Sequence, residues 1–520
     1  MSSSARQGQR NRNRDDRRRA RRSGSITASG SDGVDLKSTF QPLTITEVEQ
    51  VHRAALDLLA ETGMANATPA ICQLALSKGC ELRDDGRLLF PRALVEDALA
   101  QAAREFVVHG RHPEFDFMAR SGHVNFCTGG AAVSMLDIDE RRYRPSTLND
   151  LYDLSRLCDT LTNLQWFTRP VVATDIEDLY ELDVNTIYAS AVGTRKHIAT
   201  SFTQGEHVRR LLPMLDALAG PGTSFAERPF CTVHATMVVS PLAFAADSLD
   251  VACAAVEIGM PVHCQTGPQA GATAPAALAG ALVQGCAESL SNVVLINLLS
   301  PGHPVVLGNW MMVSDLRTGA FSGGGGEQAL LGAASGQMSR FYGIPGGMGA
   351  GMTDSKLPDN QAGFEKALTM VLATLSGGGF VFESAGMLAS LLGCSFEAML
   401  IDDDMLSSVK RIGRGIEVND ETLSVAVVEE AVTGAGHFLG HSQTMALMES
   451  EYTYPKHADR LTPADWEEAG ARGTWDRATR RARQVLDTHR PCYIDHSIDR
   501  RIRDNFPIRL AAMSSAPASS

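Results

Sequence analysis

Eight short, apolar, β-rich runs recur through the middle of this 520-residue chain, their starts 30 to 43 residues apart. They are 124–133, 167–173, 197–203, 230–238, 261–267, 304–310, 344–352 and 380–386. Helical patterns follow each of them: 147–162, 179–194, 206–219, 242–259, 275–298, 327–342, 360–377 and 387–409. Runs this short and this continuously apolar suit strands buried on both faces, the condition of parallel pairing between crossover helices. The pattern predicts an α/β chain with a (β/α)8 TIM barrel over 124–410. A doubly wound sheet is the alternative, but eight units suit closure better. The units share a pattern and not a sequence.

The ends read differently. Residues 1–37 are expected to form a disordered tail, with nine arginines from Arg6 to Arg22; docking on an anionic surface is the rival reading. No apolar segment follows those arginines, so the tail is not a secretory signal. Residues 38–123 read as an N-terminal α+β cap, opening with a helix over Leu43–Gly63 capped by Thr46. Residues 411–512 read as a helical extension packed on the barrel, with helices at 420–433, 436–450 and 466–489, and 513–520 as a second disordered tail.

A net charge of -13 and a pI near 5.6 argue against a nucleic-acid partner for the folded body. The nearest approach to a membrane span, Ala272–Val283, is too short. Ten cysteines with no CxxC pair suit reduced thiols and a cytoplasmic setting.

In a barrel the chemistry comes from the C-terminal strand ends and the loops after them. Here those ends carry Cys127, Arg169, Phe202, His234, Gln265, Asn309, Trp310, Met352, Thr353, Asp354 and Glu383, of which alternation sends about half inward. Trp310, with Phe202 and Phe382, can present ring faces to a cation, at about 0.5–2 kcal/mol per ring; packing is the plainer reading. The run Gly323–Gly326, followed by Glu327, allows close backbone approach to a bulky ligand, a moving lid or simple flexibility. It lacks the Gly-Lys-Ser/Thr ending of a phosphate loop.

His437 and His441 stand at i and i+4, a metal-ligand spacing on a helix, yet no third ligand matches, and no bound metal is expected. His263 and Cys264 alternate to opposite strand faces, which argues against a nucleophilic dyad.

The most specific local signal is Gly346–Lys366, where a glycine-rich strand opens into Thr353-Asp354-Ser355-Lys356 and a helix carrying Gln361 and Glu365. Together with Ser240-Pro241-Leu242, Gly324-Gly-Gly-Glu327, Phe341-Tyr342-Gly343-Ile344-Pro345, Ala385-Gly386-Met387-Leu388 and Gly436-His437-Phe438-Leu439-Gly440-His441, it resembles the trimethylamine methyltransferase family. The likeness runs from about Leu43 to about Pro455 and leaves out the tail before residue 38.

Members of that family fold as barrels and pass a methyl group from an amine to the Co(I) of a corrinoid on a small separate protein. In the best-known members this segment holds pyrrolysine, and aligned on Thr353-Asp354-Ser355-Lys356 that position falls on Met352. A thioether cannot form the adduct that activates a methylamine. A quaternary amine needs no such activation, because its leaving group is already a neutral tertiary amine.

The resemblance therefore implies the non-pyrrolysine branch: a cobalamin-dependent methyltransferase acting on a betaine-type quaternary amine. Its partner would be a corrinoid protein, no metal would be bound directly, and the chain would form a homo-oligomer. A non-catalytic betaine- or corrinoid-binding barrel, or a demethylase using folate, are the alternatives. On strand position and this resemblance, Glu327, Asp354 and Gln361 are the catalytic candidates. Phe202, Gln265, Asn309, Trp310, Met352, Thr353 and Glu383 are candidate substrate contacts. Gly324, Gly325, Lys356, His437 and His441 are candidates to face the corrinoid.

Overall fold

The computed structural model describes residues 33–512. All eight apolar runs overlap a strand: β1 His123–Phe126, β2 Trp166–Thr168, β3 His197–Thr200, β4 Cys231–Ala235, β5 Val262–Thr266, β6 Val305–Asn309, β7 Gly346–Gly349 and β8 Gly379–Phe382. They pair in parallel in the order β1-β8-β7-β6-β5-β4-β3-β2. Val34–Asp35 adds a ninth, antiparallel strand beside β1.

The sheet curls, but its ladder does not close between β1 and β2, where contact is limited to one bridge and the hydrogen bonds beside it. Trp166 bridges Cys127, the Gln165 N–H donates to the Phe126 carbonyl at 2.9 Å, and the Thr128 N–H donates to the Trp166 carbonyl at 3.2 Å. The architecture is an α/β fold built on a curled, mostly parallel nine-stranded sheet.

Helices follow the strands: α1 Leu148–Asp159, α2 Leu179–Gly193, α3 Gly205–Ala219, α4 Ala246–Glu257, α5 Leu278–Leu299, α6 Gly326–Tyr342, α7 Asn360–Ser376 and α8 Phe396–Arg414. Four of the eight starts carry side-chain caps: Thr147 forms a capping box with Asp150 at α1, Asp178 caps α2, Asp359 caps α7 and Ser395 caps α8. α5 is long and apolar enough to cross a membrane, yet 83% of its most apolar window is buried inside the fold. Its polar side chains face protein: Glu288 accepts from the Ser240 hydroxyl at 2.7 Å and from the Leu242 N–H at 3.0 Å. α7 and α8 are tied by a buried ion pair, Lys366 Nζ to Asp402 Oδ2 at 2.6 Å, whose carboxylate also accepts the Gly386 N–H.

Several expectations need correcting. The eighth helix starts at Phe396, not 387, because Ala389, Ser390 and Leu391 all have positive φ and turn a short hairpin, Met387–Leu388 with Gly393–Cys394. The first helix, Ile45–Asp57, is capped by Thr44 in a capping box with Glu47, not by Thr46. Residues 33–37 of the expected tail belong to the fold, since Val34–Asp35 is a strand and the Lys37 N–H donates to the Gly413 carbonyl. The arginines of that tail and residues 513–520 lie outside the described residues.

In the extension, 466–489 divides into Pro463–Glu468 and α9, Thr474–Thr488, at a break where Gly470 and Ala471 take positive φ. Of 436–450 only Ser442–Leu447 is helical, so His437 and His441 do not share a helix face. His496–Asn505 is a helix that the apolar pattern missed, because it is strongly charged.

Candidate active site

Inside the curl, alternate strand residues converge. From one end, the hairpin Glu105–Val108 with Phe117–Arg120 plugs the sheet, and Phe117 meets Phe380 of β8 at 6.2 Å between ring centroids. Above that, Trp166 of β2 sits 4.4 Å from His197 of β3, 5.1 Å from Phe380 and 5.5 Å from Phe382. His263 of β5 stacks on Phe382 at 4.4 Å and 15° and lies 4.5 Å from His234 of β4. Trp310 closes the column, 5.5 Å from Phe382 and 5.7 Å from His263. The lumen is therefore filled by rings.

That filling explains the glycines of β7. A Cβ on Gly347 would lie 2.7 Å from His263 Nε2 and 2.9 Å from the Phe382 ring. A Cβ on Gly349 would lie 3.3 Å from both the Trp310 ring and Met352 Cε. Burial holds the imidazoles neutral, with His197 and His263 pushed down to about 3 and His234 well below its ordinary value.

Four polar atoms of the column, Trp166 Nε1, Trp310 Nε1, His234 Nε2 and His263 Nε2, are buried with no hydrogen-bond partner among the described residues. So is Oε2 of Glu383, which follows Phe382 and is 2% exposed. Glu383 adopts φ +65°, off the strand's regular path, and its Oε1 lies 3.4 Å from the place a Cβ would take on Gly129. Burial alone pushes its carboxyl up to about 8. A strained, buried carboxyl without a partner, on the residue after a column ring, is costly to keep for packing and suits a site.

The sequence candidates separate into two groups. Trp310 and Met352 flank Gly349, and Glu383 follows Phe382 just past the end of the neighbouring strand β8. Gln265 shares the inward parity of His263 and is half-buried. Asn309 instead points outward, its amide donating to Cys286 of α5 at 3.7 Å. Phe202 packs with the main core rather than with the ring column. Arg169 is half-buried, and burial pushes its guanidinium down against the opposing pull of Asp183. Cys264 sits in the main core, opposite His263, as alternation requires.

The second group forms a polar clasp at the strand ends. Thr353 donates to Glu365 Oε2 at 2.5 Å, the Asp354 N–H donates to the same oxygen, and Gln361 donates to Glu365 Oε1. The Asp354 carboxylate accepts from the Gly323 N–H at 2.9 Å, the Ser322 hydroxyl at 3.1 Å and the Ser390 hydroxyl at 2.8 Å. It thereby joins the glycine loop to the left-handed turn at 389–391. Gly324 packs so closely that a Cβ would meet Glu365 at 2.5 Å. Glu327 is exposed and curls over Gly325. Lys356 is also exposed, with Nζ donating to the Asp354 carbonyl. His437 is exposed, and His441 caps a short helix and lies 3.2 Å from Glu430.

Reasoning from strand ends missed Trp166 and His197, which lie deeper. Strand parity, carried back from Gln265 to His263 and from Phe382 to Phe380, is the signal that finds such inward positions.

A family model described as trimethylamine methyltransferase matches residues 10–514. The chain belongs to the trimethylamine methyltransferase family. The match extends past the 43–455 span of the motif likeness at both ends and takes in part of the tail expected to lie outside it. Among relatives of this family, the trimethylamine methyltransferase of Methanosarcina barkeri is 31% identical over 88% of this chain and 92% of its own length. The glycine betaine methyltransferase of Desulfitobacterium hafniense is 29% identical over 89% of this chain and 96% of its own. A crystal structure of the Methanosarcina barkeri monomethylamine methyltransferase has 13% identity and a TM-score of 0.47, covering 88% of this chain and 91% of that one. As a member of the trimethylamine methyltransferase family, the protein is a methyltransferase.

Proposed function

We propose that this enzyme moves a methyl group from a betaine-type quaternary amine to the Co(I) of a corrinoid brought by a separate protein, without pyrrolysine. Glu383 is the observation that carries the reading. A buried carboxyl with no cation beside it, on the residue that follows Phe382 of the ring column, is complementary in its ionised form to a permanently charged ammonium group that cannot donate a hydrogen bond. Met352, at the aligned pyrrolysine position, is 1% exposed beside Trp310 and offers only a thioether surface. Similarity to a glycine betaine methyltransferase supports the same donor class. The uninterrupted order of eight parallel strands and the Cys127–Trp166 bridge support a sheet that works as a full barrel.

In this reading Trp310, Phe382 and His263 strip water from the N-methyl groups, and Glu383 balances their charge. Arg169 and Gln265 are the groups available to hold the substrate carboxylate. The reduced cobalt supplies the electron pair that takes the methyl group, and a neutral tertiary amine leaves. Because the positive charge disappears as the methyl departs, tight charge pairing would stabilise the ground state more than the transition state. One carboxylate and weak ring contacts meet that limit.

The test is anaerobic. Enzyme and Co(I) cobalamin are mixed with glycine betaine, trimethylamine or dimethylamine, and the visible spectrum is followed. A methylcob(III)alamin band with the betaine alone is expected. A flat spectrum with every amine, repeated with a corrinoid protein as acceptor, sinks the reading.

A further inference from the structure

Away from the ring column, a cleft of about 380 Å3 opens between the end of α1, α8, α9 and the turn at 456–457. Thr160 and Leu161 line it and lead into β2 from its N-terminal side, so the cleft lies toward the end of the sheet opposite Glu383. Its wall is basic: Lys456, Arg477, Arg480 and Arg481 face it together with one carboxylate, Asp403.

Two of those cations are already engaged. Lys456 Nζ lies 3.7 Å from Asp403, and Arg477 pairs with Asp459 at 2.8 Å while donating to the His457 carbonyl. Arg480 and Arg481 have no carboxylate within 4.0 Å among the described residues, and Arg481 reaches only Gln484, at 3.0 Å. Behind them His457 is 6% exposed and lines the cleft, with no hydrogen bond to its ring among the described residues. The turn that carries it is preset, because the Asp404 carboxylate accepts the backbone N–H groups of Lys456, His457 and Ala458.

On a chain of net charge -13, two unneutralised arginines over a buried, unbonded imidazole make a local reversal of sign. Guanidinium forks match phosphate oxygens two at a time, and a neutral imidazole adds one N–H from behind. The volume suits one small molecule rather than a peptide. We infer that this cleft binds a phosphate-bearing small anion, held by Arg480 and Arg481 with His457 at its back. The ring column stays free while it is occupied.

Inorganic pyrophosphate and inorganic phosphate, titrated into the full chain by calorimetry and by thermal melting, test this, with potassium chloride matching the ionic strength. Saturable one-to-one binding of pyrophosphate with a raised Tm is expected. The double variant Arg480→Gln, Arg481→Gln should weaken it at least tenfold. His457→Gln should weaken it by a smaller factor, and Trp310→Ala should leave it unchanged. Both arginines are exposed, so the double variant should melt like the parent without ligand. Absence of saturable binding, an equal Tm rise with chloride, or affinity in the double variant within twofold of the parent would each overturn the assignment.

Discussion

Glu383 has two opposite consequences for pH. Its native carboxyl sits at about 8 against 4.5 for the free side chain, so between those values the folded protein holds a proton that the unfolded chain has released. Stability attributable to this group is therefore full below 4.5 and is lost as pH rises through 8. Glu383→Gln should remove that slope, so the variant's Tm advantage over the parent should grow between pH 5 and pH 8. A quaternary ammonium ligand works the other way, because its charge favours the ionised carboxylate. Betaine affinity should rise with pH, by up to about tenfold per unit below the native value, with one proton released per ligand bound. Calorimetry in two buffers of different ionisation enthalpy measures that proton; a pH-independent Kd with none released would remove Glu383 from the cation site. Trp310→Ala should raise Kd about tenfold while Trp310→Phe recovers part of it, the pattern of a ring face.

At the scale of elements, the eight strands and most of their helices were legible because burial on both faces writes a continuous apolar run, and glycines and caps punctuate it. The inside of the curl was only half legible. Trp310 and Glu383 stand at strand ends where reactive groups are sought, whereas Trp166 and His197 read as ordinary core until the register turns them inward beside Phe380 and His109. The hairpin at 387–394 escaped because Ala389, Ser390 and Leu391 are common helix or coil residues; their left-handed turn is held by tertiary contacts, the Ala389 and Ser390 N–H groups on the Ser355 and Thr353 carbonyls and the Ser390 hydroxyl on Asp354. That contact is testable. Asp354→Ala removes the acceptor for Gly323, Ser322 and Ser390, so amide exchange at Gly323 and over 389–391 should accelerate together, with a stability loss of about 1–3 kcal/mol. Exchange that quickens in one loop only would show that the clasp does not join them. Lys366→Met should cost more, about 3–5 kcal/mol, because it leaves Asp402 buried without its cation.

For the whole molecule, the segment 416–461 stands apart from the economy of the core. Ile416, Val418, Val425, Val432, Leu439 and Met445 are 62 to 82% exposed, and Ala431 is the sole buried residue of the helix Val425–Thr433. A soluble monomer rarely leaves so many large apolar side chains in water over one stretch, and a patch of this kind is normally covered. A second copy that meets the segment through these apolar side chains would cover it. That is the basis for expecting a homo-oligomer with this arm at its interface. Light scattering after size exclusion should give an integral multiple of 55.7 kDa for the full chain. Val425→Glu with Val432→Glu should return it to a single copy without unfolding the sheet, since neither side chain packs on it. Monomeric mass for the parent at tens of micromolar would overturn the homo-oligomer, and a corrinoid protein would then be the first partner to mix with it.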